Sequence, residues 1–420
     1  MMLRVYGWLM WLAQPLLRRK LARRAVAEPG YGEWVDERFG RYTQPPSSGW
    51  VWVHAVSLGE TRAAAVLIAA LRARRPGMRL LLTHGTATGR AEGARLLQAG
   101  DMQVWQPWDM PGAVQRFVAQ HRPAIGILME TEIWPGLMAA CAAAGVPVVL
   151  ANARLSEKSL RGARRVPLLA PAYAALAAAY AQTDADAARL REAGAPVAGV
   201  FGNLKFDAAP NAEQLAQGRA WRDLAGRPVV LFASSREGEE AALLDLLAAD
   251  RALMSAVQWL IVPRHPQRFD AVAALITQRG LALSRRSGWT NSPPAAQGAV
   301  WLGDSLGEMA LYYAMARAAL LGGSFAPLGG QNLIEAAACG CPVIMGPHTF
   351  NFAQAAGLAE AAGAARRVAD LAAAVQAATQ LVADRAAQAA AGDAGLAFAA
   401  AHRGAAERTA QAVLALVQAP

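Results

Sequence analysis

The chain has 420 residues, 55% of them hydrophobic, enough for two cores of roughly 200 residues each and too apolar for general disorder. Its formal charge of +10 calls for an acidic partner, an anionic lipid or small substrate; no zinc finger, RNA-binding signature or basic-aromatic repeat speaks for nucleic acid. Cys141, Cys339 and Cys341 are odd in number and form no CxxC pair, so they read as buried small side chains in a reducing compartment.

The first 24 residues carry six basic side chains, Arg4, Arg18, Arg19, Lys20, Arg23 and Arg24, and no acid. Between Arg4 and Arg18 runs VYGWLMWLAQPLL, with Trp8 and Trp11. This run is shorter than the roughly 20 residues of a spanning helix, and its basic cluster follows the apolar stretch, unlike a signal peptide. Residues 1–30 therefore read as an interfacial segment on an anionic membrane face. A helix packed on the body with a solvated basic end is the competing reading. Were the segment to span, its charges would place the body in the cytoplasm.

Strands are predicted at 50–56, 79–84, 124–130 and 146–152, with weaker ones at 178–183 and 197–201. A polar stretch after Asp207, AAPNAEQ, reads as a linker. Strands then resume at 228–233, 257–263, 299–303, 318–322 and 342–346, and an alanine-rich tail from about Asp370 should be helical. Apolar strands alternating with helices indicate parallel sheets covered on both faces. The expected class is α/β, with two Rossmann-like domains facing a cleft, at 31–207 and 208–420, the last helix packing back on the first domain.

Ligands of such sheets lie beyond the carboxyl ends of the strands. After the first strand, HAVSLGET offers Ser57 as a helix cap, Gly59 for a tight turn and Glu60 as a general base, or merely as an acid favoured at a helix start. THGTATGR places Thr86, Thr88 and Gly89 where an anion could bind. METEIWP carries Glu130 and Glu132; at a spacing of two an extended backbone sends them to opposite sides, and Glu130 is the choice for the site. Lys205 stands beside the linker. In the second half, Ser234 and Ser235 of SSREGEE form a turn suited to phosphate, and Pro263, Arg264 and His265 end a strand, the guanidinium apt for phosphate. GDSLGEM turns into a helix near Gly307. The most specific run, LLGGSFAPLGGQNLIEAAACGCPVIMGP, gives strand, glycine-rich loop and helix start, then Glu335 to accept from ribose hydroxyls.

Taken in order, YGEWVDERFG, VWVHAVSLGE, METEIWP, NARLSEKS, FGNLKFD, VPRHPQRF, GDSLGEM and GGSFAPLGGQNLIEAAACGCPVIMGP resemble the 3-deoxy-D-manno-octulosonic acid (Kdo) transferase family of lipopolysaccharide synthesis. The resemblance implies the GT-B fold and an inverting transfer of Kdo from CMP-Kdo to lipid A precursor (lipid IVA). It implies no metal and no cofactor, at the cytoplasmic face of the cell inner membrane. Glu60 would be the base, with Glu130 and Lys205 assisting the transition state. Pro263, Arg264, Leu306, Gly307, Glu308, Asn332, Leu333, Ile334 and Glu335 would bind CMP, with Ser234 and Ser235 as further phosphate or Kdo contacts. Two positions depart from the family pattern: Arg236 and Gln331 stand where histidines are usual. The alternative is another GT-B enzyme using a UDP-sugar and a lipid-linked acceptor.

Overall fold

The computed structural model describes residues 2–290, 292–293 and 299–418. Met1 of the basic segment and the last two residues of the predicted tail lie outside them. The chain forms two units, 1–207 with 403–420, and 208–402.

The first unit opens with α1 (Met2–Leu12) and α2 (Gln14–Ala27). Five βα steps follow: β1 (Val51–His54) and α3 (Leu58–Arg74), β2 (Leu80–His84) and α4 (Ala87–Ala94), β3 (Met102–Trp105) and α5 (Pro111–His121), β4 (Ile125–Met129) and α6 (Pro135–Ala143), β5 (Val148–Ala153) and α7 (Glu157–Arg165). Then come α8 (Leu169–Ala174), β6 (Ala178–Ala181), α9 (Asp184–Glu192) and β7 (Val197–Val200). All seven strands are parallel, in the order β3-β2-β1-β4-β5-β6-β7. Side chains of β1, β2, β4 and β5 are buried throughout, which is why these strands read as unbroken apolar runs. Helices start where the sequence supplies caps: the side chains of Ser57, Thr86, Ser156 and Thr183 each accept a first-turn N–H, while α5 and α6 begin on Pro111 and Pro135.

The second unit repeats the plan. It runs through α10 (Ala212–Leu224), β8 (Val229–Ser235), α11 (Glu239–Ala249), α12 (Arg251–Ala256), β9 (Gln258–Pro263), α13 (Phe269–Gln278), β10 (Ala282–Arg285), β11 (Ala299–Leu302) and α14 (Met309–Met315). It ends with β12 (Ala318–Leu321), α15 (Ile334–Ala338), β13 (Val343–Met345), α16 (Ala353–Ala361), β14 (Ala365–Arg367), α17 (Leu371–Ala383) and α18 (Arg385–Ala401). Its parallel sheet is ordered β10-β11-β9-β8-β12-β13-β14, and Phe232, Trp259, Ile261, Leu302 and Leu320 sit in its core. The chain then returns to the first unit as α19 (Ala405–Gln418).

Every predicted strand is present with its bounds shifted by a few residues, and three more exist among the described residues. The added strands β3, β10 and β14 all lie at sheet edges. Their sequences, MQVW, ALSR and ARR, lack the buried apolar run that marks a central strand, because an edge covers fewer side chains. The three cysteines are free and buried.

Candidate functional site

In the first unit the carboxyl ends of the strands gather five charged residues, Glu60, Glu130, Glu132, Arg154 and Lys205. Ser57 caps α3 by accepting from the Glu60 N–H at 3.3 Å, and its hydroxyl donates back to Glu60 Oε1 at 3.0 Å. The Val56 N–H donates to Glu60 Oε2 at 2.9 Å. This reciprocal cap is what an S-x-x-E spacing builds. Gly59 lies inside the helix and takes no left-handed φ, so the expected tight turn is corrected: Ser57 makes the entry alone. Burial pushes the Glu60 carboxyl up to about 7, and the charges of Glu130 and Glu132 add to that rise against the hydrogen bonds from Val56 and Ser57.

Glu130 follows β4 with φ +57°, a left-handed conformation uncommon for a residue with a side chain. The extended backbone assumed for the glutamate pair is therefore corrected. The chain turns at Glu130, and both carboxylates act on Glu60. Glu130 is buried; its oxygens meet Arg154 Nε at 2.8 Å and Lys205 Nζ at 3.5 Å. Glu132 accepts from Trp134 Nε1 at 2.8 Å. Lys205 is held near by Asn152, itself at φ +52°, whose Oδ1 accepts from the Leu204 N–H at 3.0 Å. Lys205 is thus tied into a charge cluster, unlike a solvated loop lysine.

Thr86 and Gly89 are engaged within the protein. The Thr86 hydroxyl donates to the Val56 carbonyl at 2.8 Å, and a Cβ on Gly89 would stand 2.9 Å from that same oxygen. Arg38, buried and stacked 3.9 Å over Trp105, donates to the Gly85 carbonyl at 3.0 Å. The Glu60 loop is thereby fixed from below by groups the local motif did not reveal. Arg154 was also missed; its position directly after a strand was the available signal.

In the second unit, Ser234 has φ +53°, and a Cβ on Gly322 would come 2.3 Å from the Ser234 carbonyl oxygen, so two loops meet backbone to backbone. The Ser235 expectation is corrected: its buried hydroxyl donates to Glu240 at 2.9 Å, which commits it to the interior. Glu239 fills the remaining cradle, accepting from the N–H groups of Arg236, Gly323 and Phe325. Arg264 donates from Nε to Gln331 Oε1 at 3.2 Å, so the end of β9 and the glycine-rich loop touch. Burial first, then the Arg236 and Arg264 guanidiniums, hold the His265 imidazole below its usual value.

Pro263, Leu333 and Ile334 are buried. Asn332 Oδ1 accepts from the Ile334 N–H at 3.1 Å, and Glu335 lies in the first turn of α15. Leu306 is exposed, Gly307 has φ +79°, and Glu308 accepts from Arg286 at 2.8 Å and from the Ser305 hydroxyl. The predicted nucleotide residues thus fall into two groups, one around Arg264 and Gln331 and one around Glu308.

The first N-terminal helix packs on the body along part of its surface and leaves the rest exposed. Gly7 abuts Pro111, where a Cβ would stand 2.5 Å from the ring, and Tyr6 donates to buried Asp109. Yet Trp8, Leu9, Trp11 and Leu12 are each 60% exposed or more. A cavity of about 660 Å³ lies beside α1, lined by Trp8, Trp11, Phe39, Arg41, Met110 and Arg116. Among the described residues no helix is long and apolar enough to cross a membrane.

Comparison with known proteins shows the family and the fold. The family described as 3-Deoxy-D-manno-octulosonic-acid transferase (kdotransferase) matches residues 33–208. The 3-deoxy-D-manno-octulosonic acid transferase of Bordetella pertussis is 50% identical over 95% of this chain and 96% of its own. That of Haemophilus influenzae is 34% identical over 83% and 82%. A glycosyltransferase of Rickettsia africae shares the fold at 11% identity, with a TM-score of 0.58 over 89% of this chain and all of its own. The fold is GT-B.

Proposed function

The chain belongs to the 3-deoxy-D-manno-octulosonic-acid transferase family, a family of glycosyltransferases, and we propose that it transfers Kdo from CMP-Kdo to lipid A precursor with inversion. The observation that carries the proposal is the half-buried Glu60 carboxyl, hydrogen-bonded to Val56 and Ser57 and poised at about 7 beside Glu130 and Glu132. A base works best when its pKa lies near the working pH. The acceptor hydroxyl gives its proton to Glu60 as its oxygen attacks the anomeric carbon of Kdo. The bond from that carbon to the phosphate oxygen breaks on the opposite side, CMP leaves with the electron pair, and the configuration inverts.

Glu130 and Lys205 form an opposite-charge pair suited to both changes of charge, the positive charge growing on the sugar ring and the carboxylate that Kdo carries. Arg264 and the Asn332–Glu335 turn supply the nucleotide side, the guanidinium for phosphate and Glu335 for ribose hydroxyls. Cationic side chains and backbone N–H groups support a metal-free reaction. The exposed tryptophans of α1 and the arginines after them suit the cytoplasmic face of the inner membrane. Removing residues up to about Arg24 should weaken binding to anionic vesicles, and unchanged binding by the folded truncation would refute that placement.

The direct test is mass analysis of lipid A precursor after incubation with CMP-Kdo. A gain of one or more Kdo residues is expected. No gain, or a preference for UMP over CMP in calorimetry, would overturn the proposal.

A further inference from the structure

We infer that the exposed basic face of α7 is the docking surface for the phosphate-bearing headgroup of the acceptor lipid; this rests on the acceptor proposed above. On α7 the residues Lys158, Arg161 and Arg165 are spaced by three and four, which places them on one side of the helix. All three are exposed, and Leu160 is buried on the other side. The acids nearby are already engaged: Glu192 pairs with Arg164, and Glu157 with Arg189 at 3.5 Å. Among the described residues no ion pair neutralises Lys158, Arg161 or Arg165. Like charges one turn apart weaken a helix, so this stripe is not there for the stability of α7.

Its position explains it better. The chain leading into α7 carries Arg154, half-exposed and joined to Glu130 at 2.8 Å. The basic face therefore begins beside the carboxylate that neighbours the candidate base, within one unit. Guanidinium and ammonium groups at this density match a phosphate ester, which can take a forked pair from arginine. A headgroup held here by its phosphate would present its sugar hydroxyls toward the strand ends that carry Glu130 and Glu60.

The test compares wild type with the Lys158→Gln/Arg161→Gln/Arg165→Gln variant. Three exposed contacts of modest strength should raise KM for lipid A precursor by about fivefold or more, while KM for CMP-Kdo holds. The gap should narrow in about 0.5 M salt, and the Lys158→Arg/Arg161→Lys/Arg165→Lys variant should restore most of the loss. With acceptor stripped of its phosphates, wild type and variant should show the same KM. Binding to phosphatidylglycerol vesicles lacking acceptor should be alike for both. An acceptor KM equal to wild type, or a loss of plain vesicle binding as large as the KM effect, overturns the inference; the second outcome would make α7 a general membrane contact. Wild type failing to modify the acceptor at all would instead take down the function on which this rests.

Discussion

At the level of single residues the charge on Glu60 decides what the site can do. Because burial holds its carboxyl up to about 7, the group is neutral below that pH and an effective base only above it. Turnover should therefore rise with pH through about 7 and level off, and Glu60→Gln should abolish turnover while leaving CMP-Kdo binding intact. A wild-type rate that is flat between pH 5.5 and 8 would remove Glu60 from the role. Glu132 sharpens the test. Its charge helps raise Glu60, and Glu132→Gln keeps an acceptor for Trp134 Nε1 while removing that charge. The rising limb of the pH–rate profile should move to lower pH in this variant, and a shift upward would contradict the electrostatics. Glu60 was legible in the sequence because its surroundings are local: Ser57 and Glu60 close one helical turn. The extended backbone predicted around Glu130 is not formed, since the sign of φ at a glutamate is not written in its neighbours. The meeting of Glu130 with Arg154 and Lys205 depends on three strand ends far apart in sequence. Ser235 was misread for the same reason, its partner Glu240 being visible only once α11 is folded back on the strand.

At the level of elements, central strands announce themselves and edges do not. Val51–His54 and Ile125–Met129 are buried on both faces and could be read directly, whereas Ala365–Arg367 carries two arginines at the rim of its sheet. Helix packing is less legible still, because a close approach is written as a single small residue. Gly218 on α10 is such a case: a Cβ there would meet the Leu311 carbonyl oxygen at 2.4 Å and the Ala314 Cβ at 2.7 Å on α14. Backbone cannot yield as a flexible side chain does, so Gly218→Ala should cost roughly 1–3 kcal/mol through overpacking. Gly357 on α16 has open space around its missing Cβ, and Gly357→Ala should gain up to about 1 kcal/mol from helix propensity. Thermal denaturation of the two variants should move in opposite directions; equal shifts would mean that the α10–α14 contact is looser than described.

At the level of the whole molecule, the chain's return to its first unit joins residues about 200 positions apart. Asp207, the last residue before the linker, accepts the Ala406 N–H at 2.5 Å and the Gly404 N–H as well, so its carboxylate closes the open start of α19. Arg408 donates to the Phe201 carbonyl at 2.7 Å, and Glu407 pairs with Arg74 on α3. Ala405, Ala406, Ala410, Val413 and Leu414 are buried in the same core as β1, β2 and β4. The alanine-rich tail could be read as helical, but the part that belongs to the first unit begins only at Arg403, a break that its composition does not mark. Ending the chain after His402 would expose that core and leave Asp207 without its two donors. The loss of Val413 and Leu414 alone should cost about 1.5–3 kcal/mol each. The damage should be confined to the first unit: amide hydrogen exchange should quicken in β1 and β4 and stay slow in β8 and β9. Transfer should fall in step, because Glu60, Glu130 and Lys205 all stand on the weakened sheet, while CMP affinity should persist in the second unit. Exchange quickening equally in both sheets would show that α19 stabilises the molecule in some other way than by completing the first core.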